Sequence, residues 1–299
     1  MRPVVVALGN FDGVHLGHQE VLRRAVVEGR RRGMKVVAAT FHPHPRTVLG
    51  AGDPPKLLTP VELRCEMLLG YGADEVWVIP FDVALSRKTP EQFVRDVLIG
   101  EGGAGVVVVG ENFRFGHKAA GHFSDLLRIM REAGGTAVGV QVRGGGGKER
   151  GISSTRIRAL VSGGAVTEAA GLLGRPYVLR GEVVVGDKRG RSIGFPTANV
   201  LPDKDAVIPA RGVYAGFVRF GEEEYAACTN VGFAPTFGRT DSRIEAYLLD
   251  FKGDLYGRVV DVSFVKRIRD ERRFSGVDEL TEQIRRDIEE ARIMAGGRG

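Results

Sequence analysis

Short, nearly unbroken apolar runs alternate with stretches of helical spacing through the first half of this 299-residue chain, and that pattern leaves few architectures open. VVVAL (Val4 to Leu8), VVAAT (Val36 to Thr40), VWVI (Val76 to Ile79), VVVV (Val106 to Val109) and TAVGVQV (Thr136 to Val142) read as strands. Between them, Gly17 to Arg32, Pro60 to Leu69, Pro90 to Leu98 and His122 to Glu132 read as helices. A strand without a polar face must be covered on both sides. Helices returning between strands do this, so the expected fold is α/β with a parallel, Rossmann-like sheet.

The pattern changes in the second half. GGGGK (Gly144 to Lys148) is a break, and Ser154 to Leu173 is a short helical stretch. From Val178 onward, short strands are separated by turns: GEVVV, GVYAGFVRF, EEYAACTNV, RIEAYLLDF and RVVDVSFV. That predicts an antiparallel barrel or sandwich. In Val277 to Arg292, Leu280, Ile284 and Ile288 recur every fourth residue, so a final helix should pack one face on the barrel. The boundary is expected between Leu173 and Val178, giving domains 1–174 and 175–299.

Composition removes several classes. Cys65 and Cys228 fall in different halves, so neither a disulfide framework nor a four-cysteine zinc site is available. No apolar run reaches the ~18 residues of a membrane helix. The apolar stretch after Met1-Arg2-Pro3 is too short for a signal peptide, so a cytoplasmic protein is expected. The net charge of +6 admits nucleic acid, anionic membrane or phosphorylated small molecules as partners. The densest basic run, Arg30-Arg31-Arg32, ends a predicted helix, where cations complement the dipole. Glycine, 43 residues, is about double the usual ~7% and points to backbone sites that need positive φ or close approach to a ligand.

The first strand runs into Gly9-Asn10-Phe11-Asp12-Gly13-Val14-His15-Leu16-Gly17-His18. Glycines between strand and helix let backbone approach a phosphate, and the helix N-terminus offers unpaired N–H groups. His15 and His18 share one helix face and can donate to phosphate oxygens. The alternative is a pair of surface or capping histidines. No lysine stands in Walker A register, and a zinc site from His15, His18, His42 and His44 has no support from spacing. FHPHP (Phe41 to Pro45) ends a strand as an extended, proline-fixed loop, either a pocket wall or a rigid turn. GENFRFG places Asn112 at the carboxyl end of a sheet strand, where open α/β sheets bind ligands. In ISSTRIR, Ser153, Ser154 and Thr155 suit helix caps, and Arg156 can clamp phosphates with two bonds.

A second glycine-rich segment runs from Gly186 through Lys188, Gly190 and Gly194 to Pro196, Thr197 and Asn199. It is either a backbone wrap around phosphates or a hairpin loop. Thr197 and Asn199 offer neutral oxygens that suit Mg²⁺ beside ATP. Alternation puts Glu245, Tyr247 and Leu249 on one side of their strand and Ile244, Ala246 and Leu248 on the other. A Glu there is either a surface residue or an acid facing the barrel mouth. Arg269 and Glu271, with Phe274 nearby, read from the residues alone as an ordinary surface ion pair.

GNFDGVHLGH, TFHPHP, GENFRFGHKAAG and ISSTRIR, in that order, resemble the adenylyltransferase half of bacterial bifunctional riboflavin kinase/FMN adenylyltransferases. GRSIGFPTAN, TNVGFAPTFG, IEAYLLDFKGDLYG and the Arg269, Glu271, Phe274 pattern resemble the kinase half. The resemblance implies a nucleotidylyltransferase domain followed by a six-stranded antiparallel barrel with a C-terminal helix. It implies phosphorylation of riboflavin to FMN with ATP and Mg²⁺, then adenylylation of FMN to FAD with release of pyrophosphate. Implied catalytic residues are Glu245 as base, with His15, His18 and Arg156 on phosphate. Gly9, Asn10, Phe11, Asp12, Gly13, Asn112, Ser154 and Thr155 are the implied nucleotide and flavin contacts of the first half. Gly186, Lys188, Gly190, Gly194, Pro196, Thr197, Asn199, Arg269, Glu271 and Phe274 are those of the second, with Thr197 and Asn199 as metal ligands. Relatives commonly carry Asp where Asn112 stands. The partners expected are riboflavin, FMN, ATP and FAD, with self-association allowed and no nucleic acid or membrane. Three rivals remain at this point: a chain with only one working half, an RNA-binding protein, and a flavin-binding regulator.

Overall fold

The structure, a computed structural model, describes residues 2–50, 52–141, 151–186, 194–236 and 239–296, with the side chains of 233–242 left undescribed. The chain divides into two compact units, Met1–Ser154 and Thr155–Gly299.

The first unit holds β1 (Val4–Leu8), β2 (Val36–His42), β3 (Glu75–Pro80), β4 (Ala104–Gly110) and β5 (Thr136–Val140), all parallel, in the order β3-β2-β1-β4-β5. The helices are α1 (Leu16–Arg32), α2 (Pro45–Leu49), α3 (Val61–Gly70), α4 (Val83–Arg87), α5 (Pro90–Gln92, continued by wider π-helical turns over Phe93–Glu101) and α6 (Phe123–Glu132). Alternate residues of β1 serve opposite layers. Val5 and Ala7 pack with Val21 and Leu22 of α1 and Leu68 of α3. Val6 and Leu8 pack with Val94 and Leu98 and with Leu126 and Ile129 of α6. Each fully buried Val or Leu of this kind contributes roughly 1.5–3 kcal/mol. The strands sit where the apolar runs put them. Arg31 and Arg32 at the end of α1 pair with Glu28 of the same helix. FHPHP departs from a fully extended loop. Its His42–Pro43 bond is cis, and His44 caps α2 by accepting from the Arg46 N–H.

The second unit is a closed antiparallel barrel with strand order β10-β7-β6-β11-β8-β9. Its strands are β6 (Tyr177–Val184), β7 (Ala198–Pro202), β8 (Gly212–Phe220), β9 (Glu223–Thr236), β10 (Arg239–Leu248) and β11 (Val259–Arg269). The interior is aromatic and aliphatic, with the Phe264 ring against Tyr177 and Tyr214. Five of these strands are legible as apolar runs. β7 is not, because only Val200 of ANVLP is buried.

The helical stretch before the barrel forms α7 (Ser154–Ser162) and α8 (Val166–Leu173), broken at Gly163-Gly164. Apart from Ser154 they belong to the second unit, whereas the sequence pattern changes only at 174–175. The last helix, α9 (Val277–Gly296), lies on the outer barrel wall. There Ile288, Ala291 and Met294 pack on Val213, Ala215 and Cys228.

Candidate functional site

In the first unit the strand order reverses between β1 and β4, so the loops after those strands border the crevice where such sheets bind ligands. The loop after β1 is strained. Phe11 has φ 51° and Val14 φ 38°, costly for side chains with a Cβ, while Gly13 takes φ 87° without penalty. The strain is held from beneath. Phe11 and Val14 are fully buried. The Asp12 carboxylate, also buried, accepts from the Leu58 and Thr59 N–H groups at 2.9 and 3.0 Å, and Gly13 N–H donates to Thr59 Oγ1 at 3.0 Å. Asp12 thus anchors the loop through its side chain. Asn10 carbonyl accepts from Thr40 Oγ1 and from Arg64 at 3.1 Å. Arg64, 1% exposed, also donates to Thr40 Oγ1 and to the carbonyls of Phe41 and Thr59. Sequence reasoning missed Arg64, because one Arg inside the helical pattern of VELRCEMLLG carries no signal.

His15 is the N-cap of α1, its Nδ1 accepting from the His18 N–H at 3.3 Å. The two imidazoles stack with centroids 3.6 Å apart, and the Phe11 ring meets His18 edge-on. The capping reading therefore holds for His15. Among the described residues His18 Nδ1 is buried without a hydrogen-bond partner. Burial first, then the charges of His15 and Arg64, hold the His18 pKa well below its usual 6.5. No acidic residue stands in the first turn of α1, so its positive end is open to an anion.

The His18 shift has a consequence for stability. Just below pH 6.5 the unfolded chain binds more protons at His18 than the folded chain, so stability rises with pH through that window and levels off above it. The thermal midpoint of the full chain should therefore fall more between pH 7 and pH 5 than that of His18→Asn. Equal losses would show that His18 is not held neutral by the fold.

Other predicted residues of this unit lie close by in the chain or apart. Gly9 packs under the Phe11 ring. Asn112 is exposed just after β4. Ser154 Oγ donates to the Asp12 carbonyl at 2.9 Å, fixing the motif loop from a distant part of the sequence. Thr155 and Arg156 stand in the first turn of α7 and fall in the second unit.

In the barrel, strand register lines up a row on the outer wall: Asn199, Glu245, Asn230, Val213 and Arg269 are successive cross-strand partners. Ile244, Ala246 and Leu248 point inward and are buried. Glu245 and Tyr247 share one side, but that side is the outer wall, not the barrel mouth expected for the acid.

Two cavities open on this wall. One, of about 380 Å³, is bordered by Phe195, Tyr247, Phe274, Leu280, Ile284 and Ile288 and has Glu271 and Arg243 among its polar groups. The other, of about 500 Å³, is bordered by Pro196, Asn199, Lys252, Gly253 and Asp254. Thr197, Glu245 and Tyr247 line both. Leu280 and Ile284, expected only to pack on the barrel, are walls of the first cavity. Arg269 makes a two-bond pair with the buried Asp287 of α9, at 3.0 and 2.7 Å, and lies over the Phe274 ring. It therefore shapes the cavity from behind. Cys228 also lines the cavity, and burial with the charge of Asp287 pushes its thiol up to about 12, so it is inert.

Gly194 takes φ 87°. Lys188 and Gly190 lie outside the described residues. Gly186 has a different reason to be glycine: a Cβ there would come within 2.3 Å of the Asn199 amide. Gly186→Ala should push that amide aside without disturbing the barrel. Displacing a supporting neighbour of a ligand group typically costs 10–100-fold, so any catalysis at this wall is expected to fall by about tenfold or more. A steady-state assay on the purified variant checks this, and undiminished turnover would release Asn199 from the site.

Residues 1–156 match the FAD synthetase family model and residues 173–295 the riboflavin kinase model. A bifunctional riboflavin kinase/FMN adenylyltransferase of Bacillus subtilis is 39% identical over 292 residues, covering 96% of this chain and 91% of that one. The protein of the same description from Escherichia coli K12 is 38% identical, covering 98% and 93%. A crystal structure from Streptococcus pneumoniae described as a macrolide-efflux protein aligns with TM-score 0.87 and 34% identity, covering 97% of this chain and 94% of that one. Among the described residues no helix is long and apolar enough to cross a membrane.

Proposed function

The chain belongs to the bifunctional riboflavin kinase/FMN adenylyltransferase family, and from that premise we propose how its two sites divide the chemistry. It uses ATP twice, to phosphorylate riboflavin to FMN and to adenylylate FMN to FAD.

The kinase reaction runs on the outer barrel wall. The aromatic and aliphatic cavity takes the flavin rings, with Glu271 toward a polar edge, and the neighbouring cavity takes ATP. The observation that carries this reading is the shared wall: Glu245 and Thr197 face both cavities, where a ribityl hydroxyl and a γ-phosphate would meet. Glu245 accepts the hydroxyl proton as that oxygen bonds to the γ-phosphorus and the bond to ADP breaks. Thr197 Oγ1, Asn199 Oδ1 and the Glu245 carboxylate are hard oxygen donors with a single charge. That set suits a Mg²⁺ arriving on ATP with phosphate and water oxygens in its shell, and what it supplies when bound is neutralisation of phosphate charge.

In the first unit, adenylylation needs no base, because the FMN phosphate is already ionised. Its oxygen attacks the α-phosphorus and pyrophosphate leaves. The α1 N-terminus, His15 and His18 hold the phosphates and stabilise the growing charge. Gly9 to Gly13, Asn112 and Ser154 complete the nucleotide and flavin surroundings.

Incubation with riboflavin and MgATP, with FMN and MgATP in a parallel tube, tests both halves by flavin chromatography. FMN and FAD are expected in the first tube and FAD in the second. Flavin bound but unchanged would turn the reading to a regulator.

A further inference from the structure

Arg64 is a buried cation that the chemistry above leaves without a role. It stands on α3 and is 1% exposed. One terminal nitrogen donates to the Asn10 carbonyl at 3.1 Å, to Thr40 Oγ1 at 3.2 Å and to the Phe41 carbonyl at 3.3 Å. The other donates to the Thr59 carbonyl at 3.1 Å and lies 3.9 Å from Asp12 Oδ1. These acceptors belong to three separate segments. Asn10 and Asp12 follow β1, Thr40 and Phe41 end β2, and Thr59 leads into α3. β1 and β2 are neighbours in the sheet, and ligands of such sheets bind at their carboxyl ends. One guanidinium thus ties GNFDGVHLGH to TFHPHP. Thr40 Oγ1 strengthens the tie by donating to the Asn10 carbonyl at 2.9 Å. Asn10 and Asp12 also flank Phe11, whose φ of 51° carries the strain of the loop.

We infer that Arg64 is a positioning residue for FMN adenylylation, its guanidinium bracing the loop after β1 against the end of β2 and so setting the histidine-bearing N-terminus of α1 for phosphate. This rests on the placement of adenylylation at that helix end. Taking a guanidinium out of water is costly, and for stability alone well-packed apolar side chains often serve as well or better. An aliphatic chain cannot, however, hold acceptors from separate segments at fixed distances and angles. A planar, rigid fork of N–H donors can. A strained φ persists only where the surroundings over-determine it. With the Asn10 carbonyl held on one side and the Asp12 carboxylate on the other, the Phe11 backbone cannot relax to negative φ. Releasing it would shift the start of α1, and with it His15 and His18. A misplacement of about 1 Å caused by a remote change can cost about 10²-fold in rate. Arg64 is sealed from solvent, so it acts through the loop and not on substrate.

The test compares the full-length protein with Arg64→Lys, Thr40→Val, Thr40→Ser and His15→Asn in FMN adenylylation at varied FMN and MgATP. Circular dichroism at the assay temperature reports folding, and riboflavin phosphorylation normalises the amount of active protein. Lys keeps the charge, but its one nitrogen cannot stand at both ends of the fork. Arg64→Lys should stay folded and lose about 10²-fold in kcat with little change in KM for MgATP. Thr40→Val removes the hydroxyl shared by Arg64 and Asn10 and should lose kcat by a smaller factor, while Thr40→Ser keeps the hydroxyl and its turnover. A role in stability alone would lower the unfolding temperature and leave the kcat of folded Arg64→Lys intact, and that result, or a change confined to KM, overturns the inference. Should Arg64→Lys fail to fold, the threonine pair decides: a lower kcat in Thr40→Val alone supports the brace, and equal kcat in both variants sinks it. His15→Asn tests the premise separately. If it slows while folded Arg64→Lys does not, only the brace is wrong; if both keep wild-type turnover, the placement of the site itself fails.

Discussion

Glu245→Gln is expected to slow riboflavin phosphorylation by about 10²–10⁴-fold, the usual worth of a positioned general base, and to leave FMN adenylylation unchanged. The substitution is nearly isosteric. Gln keeps an oxygen that can accept from Arg243, now 3.0 Å from Glu245 Oε1, so the wall should hold its shape. The fold is not at stake, because the β10 residues that build the barrel core are the inward-facing Ile244 and Ala246. What is lost is the proton acceptor and one negative charge beside Thr197 and Asn199. Two measurements separate these. Loss of the base lowers kcat at saturating riboflavin and MgATP. Loss of the charge as a metal contact raises the Mg²⁺ concentration needed for half-maximal rate. Retained turnover at all Mg²⁺ concentrations would remove Glu245 from the chemistry and with it the two-cavity reading.

The architecture was legible because its driving force is periodic. Unbroken Val runs demanded a sheet covered on both faces, and the change to short strands between turns announced the barrel. β7 escaped because it is short and has a single buried position, Val200, so no period could show. The site was legible only in part, and for a different reason. Motif segments supplied the candidate residues, among them Asn10, Asp12 and Arg269, yet the groups that hold these three come from elsewhere in the chain. Arg64 reaches Asn10 from α3, Ser154 reaches Asp12 across most of the first unit, and Asp287 pins Arg269 from the last helix. Such partners are set by tertiary contact and leave no local pattern. Asp12 shows the converse. It stands inside the GNFDGVHLGH motif, yet its carboxylate faces the Leu58 and Thr59 amides beneath the loop. Tyr247 and Glu245 were correctly placed on one side of their strand. Only the closed strand order turned that side into the outer wall.

His15→Asn is expected to reduce FMN adenylylation by about 10²–10³-fold, the cost of removing one preorganised donor from a developing phosphate charge, while riboflavin phosphorylation continues. The choice of Asn separates the capping role of this ring from the phosphate-binding role proposed for it. His15 Nδ1 caps α1 by accepting from the His18 N–H, so His15→Ala would remove the cap as well as the donor. Loss of a capping acceptor typically costs ~1 kcal/mol of stability, and Asn is itself a favoured N-cap. His15→Asn should therefore unfold at nearly the wild-type temperature, whereas His15→Ala should unfold earlier, with adenylylation equally impaired in both. Capping alone predicts the opposite ranking, with activity retained in the Asn variant and reduced in the Ala variant in step with stability. His18→Asn extends the argument, because the stacked pair acts on one face of the helix end. If both rings donate to the same transferring phosphate, the double variant should lose less than the product of the single losses, since groups acting as a unit are not additive. Full multiplicative loss would mean that the two histidines hold different phosphates of ATP. Either result supports the phosphate site proposed at the positive end of α1. Undiminished adenylylation in His15→Asn and His18→Asn alike would move the reaction away from this loop altogether.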